Sequence, residues 1–152
     1  TLAMIIDESL GKNKIWWDAK ILATDISSTV LEKAVKGCYE KDDLDKLSPT
    51  WRINYFQKAD DNRLMVTDKI KKEVIFRRLN LMDDHFPFKQ KFHVIFCRNV
   101  MIYFDMETKH KLVNKFYNLL EYGGYLFIGH SETIEKGSSN FRYIMPAVYR
   151  KV

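Results

Sequence analysis

Cysteine is scarce in this 152-residue sequence: there are two thiols, Cys38 and Cys97, with no C-x-x-C spacing. That argues against a disulfide framework and against a structural zinc centre, and a reducing, cytoplasmic setting is expected. Proline and glycine are also sparse, at three and six residues. The glycines, at 11, 37, 123, 124, 129 and 137, nowhere form G-x-G-x-x-G. A phosphate loop, G-x-S-x-G and H-E-x-x-H are likewise absent. His85, His93, His110 and His130 have no ligand spacing, so no metal is expected. No apolar run approaches the roughly 18–20 residues that cross a bilayer, so no membrane insertion is expected. The opening Thr-Leu-Ala-Met-Ile-Ile-Asp-Glu has neither a basic start nor a cleavage site, and no secretory leader is read there. No repeat with a period of 20–50 residues is visible.

What is present is an ordinary globular composition, 46% apolar and 30% charged, at a length that suits one domain. The net charge of +5 favours acidic partners over basic ones. Its densest basic stretch, Lys69 to Lys72 followed by Arg77-Arg78, is short. It reads either as a solvated face or as a docking surface for an acidic helix bundle or nucleic acid.

Apolar spacing predicts a helix over residues 1–10, with Leu2, Ile5 and Ile6 on its buried face and Gly11 as its stop. Lys20 to Thr24 reads as a buried strand ending at Asp25. Ser27 or Ser28 then caps a helix carrying Val30, Leu31, Ala34 and Val35, which stops at Gly37; Thr29 and Glu32 have capping-box spacing. Residues 40–78 are more polar. Pro49 suits the first position of a helix, Asp60-Asp61-Asn62 a turn, and Leu64–Val66 and Val74–Phe76 two strands, together a small antiparallel insert. Phe92 to Cys97 predicts a buried strand. Asp105 caps a helix whose face is Leu112, Val113, Phe116, Tyr117, Leu119 and Leu120, and Gly123-Gly124 is its expected stop. Tyr125 to Ile128 is the next strand, and Phe141 to Val152 a closing hairpin near Pro146. Strands alternating with helices predict an α/β sheet covered on both faces, with ligand bound at the carboxyl ends of the strands.

That rule selects Asp25, the Asn80–Asp83 segment, Arg98-Asn99 and His130-Ser131-Glu132. An acid at the tip of a strand in a nucleoside-binding unit can accept hydrogen bonds from both ribose hydroxyls; the alternative for Asp25 is a helix cap. Arg98 follows a run of apolar residues. A buried arginine is rare unless paired, and its fork suits a carboxylate, so it reads either as a substrate-orienting group or as half of a structural ion pair. Cys97, inside an apolar strand, reads by default as an inert packed thiol.

The stretch Cys97-Arg98-Asn99-Val100-Met101-Ile102-Tyr103-Phe104-Asp105 resembles the signature of the chemotaxis receptor glutamate methyltransferases, the CheR family. Three further stretches resemble the family in the same order: Ala23-Thr24-Asp25-Ile26 with its following helix, Leu79-Asn80-Leu81, and Gly129-His130-Ser131-Glu132. The resemblance covers about residues 1–150. It implies a Rossmann-like, S-adenosylmethionine-dependent methyltransferase sheet with a small antiparallel β insert at about 40–78. It implies transfer of a methyl group to glutamate side chains on the cytoplasmic helical bundle of a chemoreceptor, leaving S-adenosylhomocysteine. Carried over by residue, Asp25 would hold the ribose, Asn80 and Leu81 would border the adenine, and Cys97 and Arg98 would line the cofactor pocket. Arg98 and Tyr103 would act at the reacting centre. The insert would correspond to a subdomain that in some members docks a receptor's C-terminal peptide.

The resemblance also implies a partial domain. The family's first sheet strand and its glycine loop have no counterpart in these 152 residues, and the sheet is therefore expected to be split between the Asp25 strand and the Phe92–Cys97 strand. Two other classes of function stay open at this point. One is a non-catalytic receptor-docking module on the same fold. The other is a nucleic-acid methyltransferase, against which stands the lack of an N-P-P-Y-type stretch; no nucleic-acid partner is expected.

Overall fold

Leu2–Leu10 forms helix α1, and Gly11, at a φ of 48°, ends it. The side chains it buries are Ala3, Met4 and Asp7, with Leu2 and Ile6 half-buried and Ile5 exposed, so the buried face is offset from the expected one. The physical reason is Asp7. Its carboxylate is ion-paired at 2.9 Å to Lys14 and at 2.6 Å to Lys69, which makes a buried acid tolerable. The computed structural model describes residues 1–135 and 137–152, and it divides into two units, Thr1–Asn80 and Leu81–Val152.

In the first unit, β1 (Ile21–Asp25) leads to α2 (Ser28–Lys36). Ser27 is the cap: its Oγ accepts from the Val30 N–H, and Gly37 closes the helix in the left-handed region. Then come β2 (Cys38–Glu40), α3 (Pro49–Tyr55), β3 (Phe56–Lys58), β4 (Arg63–Val66), α4 (Asp68–Lys71) and β5 (Val74–Arg78). Ser48 caps α3, and Asp60 Oδ1 accepts from the N–H groups of Asn62 and Arg63 to make the expected turn. β2, β4 and β3 form a three-stranded antiparallel sheet. β5 does not belong to it. It pairs in parallel with β1, Ile21 opposite Val74 and Asp25 opposite Arg78. The antiparallel sheet thus spans residues 38–66 rather than 40–78. Parallel partners need a crossover connection, and α2 with this sheet supplies it.

In the second unit, β6 (Phe92–Cys97) is followed by a tight 3-10 turn at Met101–Tyr103, α5 (Met106–Leu119), β7 (Leu120–Ile128), β8 (Phe141–Met145) and β9 (Val148–Lys151). Asp105 Oδ1 accepts from the Thr108 N–H, the expected cap. α5 stops at Leu119, short of Gly123-Gly124. The Lys151 ammonium donates to the carbonyls of Tyr117 and Leu120, partners that sequence spacing does not reveal. The two glycines lie instead within β7, where the register with β6 shifts. A Cβ on Gly124 would stand 2.9 Å from the carbonyl oxygens of both Glu121 and His93, so only glycine fits there.

The sheet order is β6-β7-β9-β8, with β6 and β7 parallel and the rest antiparallel. Leu112, Val113 and Phe116 of α5 pack with Cys97, Leu126 and Ile128 into the core. The opposite face is not covered as expected: Val94 and Phe96 are more than 40% exposed, and Phe96 stacks on Phe127 at 4.6 Å. Among the described residues, β1 pairs only with β5 and β6 only with β7. The parallel strands therefore stand in two separate sheets, the split that the resemblance implied. No described helix is long and apolar enough to cross a membrane.

Candidate active site

The candidate residues fall at the carboxyl ends of parallel strands, some in each unit. In the first unit Asp25 ends β1. The backbone just beyond is fixed from β5: the Arg78 guanidinium donates to the Ile26 carbonyl, and the Leu79 N–H donates to the Asp25 carbonyl. Asn80 follows directly, so Asp25 and Asn80 share one end of the β1/β5 pair. The cap of α2 is Ser27, which removes helix capping as the reason for Asp25. Its Oδ1 accepts from the Ser27 N–H at 2.8 Å. Its Oδ2 has no donor among the described residues. A half-buried carboxylate with one oxygen anchored and one open fits a sugar diol.

In the second unit Leu81 packs against the core cluster, and Cys97 closes β6 inside it. Burial, with a contribution from the charge of Glu132, pushes the Cys97 thiol up to about 12. It is therefore a buried, protonated thiol at neutral pH, not a nucleophile. Arg98 departs from its expected setting. It is exposed and makes no ion pair among the described residues, because the strand ends at Cys97 and the next residue turns out of the core. The reading of Arg98 as half of a structural pair falls with it. Tyr103 stands 80% exposed at the end of the 3-10 turn. An open guanidinium and an open phenol thus sit five residues apart on one loop, both available to a carboxylate.

Two buried acids had no assigned role from sequence alone. Glu132 is 7% exposed, and its carboxylate accepts from the N–H groups of Asn99, Ile102 and Gly129. Its only sequence signal was its place at a strand end after Gly129. Asp7 is the other. Burial pushes its carboxyl up, but hydrogen bonds and charge from Lys69 and Lys14 outweigh that and hold it below the usual carboxylate range. Among the described residues, no group of three or more His, Cys, Asp or Glu side chains is placed to hold a metal ion.

Residues 1–149 match the family model of the CheR methyltransferase, SAM binding domain. The chain is 48% identical over 151 residues to a chemotaxis protein methyltransferase of Borreliella burgdorferi, covering 99% of this chain and 53% of that protein. It is 39% identical over 155 residues to a probable chemotaxis protein methyltransferase of Rhizobium etli, covering 94% and 58%. It is 35% identical over 152 residues to the chemotaxis protein methyltransferase of Escherichia coli, covering 98% and 52%. The chain spans about half the length of these curated relatives. Matched by that model over nearly its whole length and folded into mixed sheets, this chain belongs to the CheR methyltransferase family, in its S-adenosylmethionine-binding domain.

Proposed function

We propose that this domain methylates glutamate side chains on the cytoplasmic helical bundle of a chemoreceptor. The observation that carries the reading is the loop after β6. It joins the family's most specific sequence stretch to an unpaired Arg98 and an exposed Tyr103. Bound S-adenosylmethionine supplies an electrophilic sulfonium methyl, and S-adenosylhomocysteine is what remains. Asp25, through its open Oδ2, holds the ribose hydroxyls. Asn80 and Leu81 border the adenine, and Cys97 and Arg98 wall the pocket.

So spare a site is adequate for this substrate. A glutamate side chain has a reference pKa of about 4.3 and is ionised at neutral pH, so no general base is needed. Positioning alone is worth on the order of 7–11 kcal/mol in favourable cases. Arg98 orients the incoming carboxylate through two parallel hydrogen bonds, and Tyr103 lies beside the reacting oxygen. The antiparallel sheet of β2, β4 and β3 is the surface offered to a receptor's C-terminal peptide. The domain's place of action is the cytoplasm, where the receptor's helical bundle lies.

The test is transfer of labelled methyl to a receptor's cytoplasmic fragment, using the protein with all of its natural flanking sequence. Base-labile label on glutamate is expected. Asp25→Ala should abolish S-adenosylhomocysteine binding in a calorimetric titration, and Tyr103→Phe should keep that binding while lowering turnover. No base-labile label on the receptor would overturn the reading, and unchanged turnover in Tyr103→Phe would remove Tyr103 from it.

A further inference from the structure

We propose that Glu132 is a positioning residue for methyl transfer, gripping the loop that carries Arg98 and Tyr103; the catalytic half of this inference rests on the function proposed above. The geometry is specific. Oε2 accepts from the Asn99 N–H at 3.1 Å and from the Gly129 N–H at 2.5 Å, and Oε1 accepts from the Ile102 N–H at 3.1 Å. Asn99 is the neighbour of Arg98, and Ile102 is the neighbour of Tyr103. One carboxylate therefore holds the peptide immediately inside each of the two side chains.

Among the described residues, the loop's other backbone hydrogen bonds are internal to its turn, the Tyr103 N–H donating to the Val100 carbonyl and the Phe104 N–H to the Met101 carbonyl, so they tie the loop to itself and not to β7. Neither Arg98 nor Tyr103 makes a side-chain hydrogen bond or ion pair there, and both are exposed. Asn99 sits at a φ of 59°, a backbone shape that costs energy for a residue with a side chain and persists only where its surroundings enforce it. The Glu132 N–H itself donates to the Gly129 carbonyl, closing a tight turn after β7. Gly129 leaves room for the grip: a Cβ there would lie 2.5 Å from Asn99 Oδ1 and 2.6 Å from Glu132 Oε2. The carboxylate is buried with no cation within ion-pairing distance among the described residues, so its charge is met by backbone dipoles alone. A charge-assisted acceptor of this kind is about twice as strong as a neutral one. It fixes the loop from the β7 side without occupying any of the space a substrate would need.

Glu132→Gln tests this in the protein with its natural flanking sequence. The amide keeps the shape but offers one acceptor oxygen where three donors converge. Faster amide hydrogen exchange confined to Asn99, Ile102 and Gly129 is expected. Turnover on receptor glutamate should fall by about ten- to a hundredfold, the scale of an ångström's misplacement. S-adenosylhomocysteine affinity should hold, since Asp25 and Asn80 carry the nucleoside. Gly129→Ala, which crowds the grip but leaves the charge, should give the same signature. Unchanged exchange at residues 99 and 102 would overturn the grip. Faster exchange with unchanged turnover would overturn its catalytic role. If both variants also lose exchange protection at Leu126 and Ile128, Glu132 supports the fold at large and the local role is wrong. Lack of methyl transfer by the unaltered protein would sink only the functional reading, and exchange at residues 99 and 102 would still decide the grip.

Discussion

The segment Leu81–Val152 buries Leu112, Leu120, Leu126 and Ile128 to below 2% exposure, whereas no apolar side chain of Thr1–Asn80 falls below 3%. The first unit instead carries a half-open pocket of about 490 Å³ bordered by residues such as Met4, Leu44, Phe56, Val66 and Ile70. It also leaves Trp16, Trp17, Val30 and Val35 largely exposed, and α2 buries none of its residues. The cause lies in the sheets. A four-stranded sheet with a 14-residue amphipathic helix on it makes one large core, while the first unit divides its strands between a parallel pair and a three-stranded sheet and gathers a smaller core that includes Met4, Leu44, Tyr55, Phe56, Val66 and Ile70. In the first unit polar chemistry takes up part of that role, through Asp7 linked to Lys14 and Lys69, with Glu73 against Lys14 and Lys20. One unit is thus organised by apolar burial and the other in large part by charge.

Thiol chemistry should show the contrast most sharply. Burial raises Cys97 from an ordinary 9.0 to about 12, which leaves about a thousandfold less thiolate than an ordinary thiol at a given pH. Cys38 is exposed. Iodoacetamide should label Cys38 alone in native protein and both thiols in urea, as read by intact mass; rapid native labelling of Cys97 would break the comparison. Leu126→Ala, which empties a fully buried position, should cost about 2–5 kcal/mol by denaturant unfolding.

Asp7→Asn should cost about 1–3 kcal/mol at neutral pH. Its folded carboxyl titrates below the unfolded value of about 3.9. The stabilisation is therefore fully present above that value and drains away as pH falls through the lower folded-state value. The variant should flatten this acid limb in a series of urea midpoints against pH, and an unaltered limb would show that Asp7 is not an organising charge. Val35→Ser, on the uncovered face of α2, should change stability by less than about 0.5 kcal/mol. A cost near that of Leu126→Ala would mean that this face is covered after all.

The same contrast explains what the sequence made legible. The run from β6 through Asp105 into α5 reads correctly because each signal is local: an apolar strand, an N-cap three residues before the amide it binds, and a helical stripe. The end of α5 does not, because the groups that complete it come from Lys151, over thirty residues away. The burial of Asp7 has no local sequence signal, since its partner Lys69 is 62 residues distant. The pairing of β5 escaped because a short apolar run shows that a strand exists but not which strand it joins. At the candidate site, Asp25 and Arg98 could be placed at strand ends from pattern alone. Glu132 could be placed there too, but its role could not be read, because its three partners are backbone N–H groups, which every residue but proline carries.

The position of β9 between β7 and β8 has a consequence for how the molecule is made. β7 and β8 have no hydrogen bonds to each other and both lean on a strand that is translated after them. Lys151, near the end of that strand, also closes the carbonyls of α5. On the ribosome, where chain emerges at roughly 5–20 residues per second, this sheet has every earlier piece in hand and still waits for its middle. A chain that stopped before residues 148–151 could still pair β6 with β7 under α5, but β8 would have no strand to join.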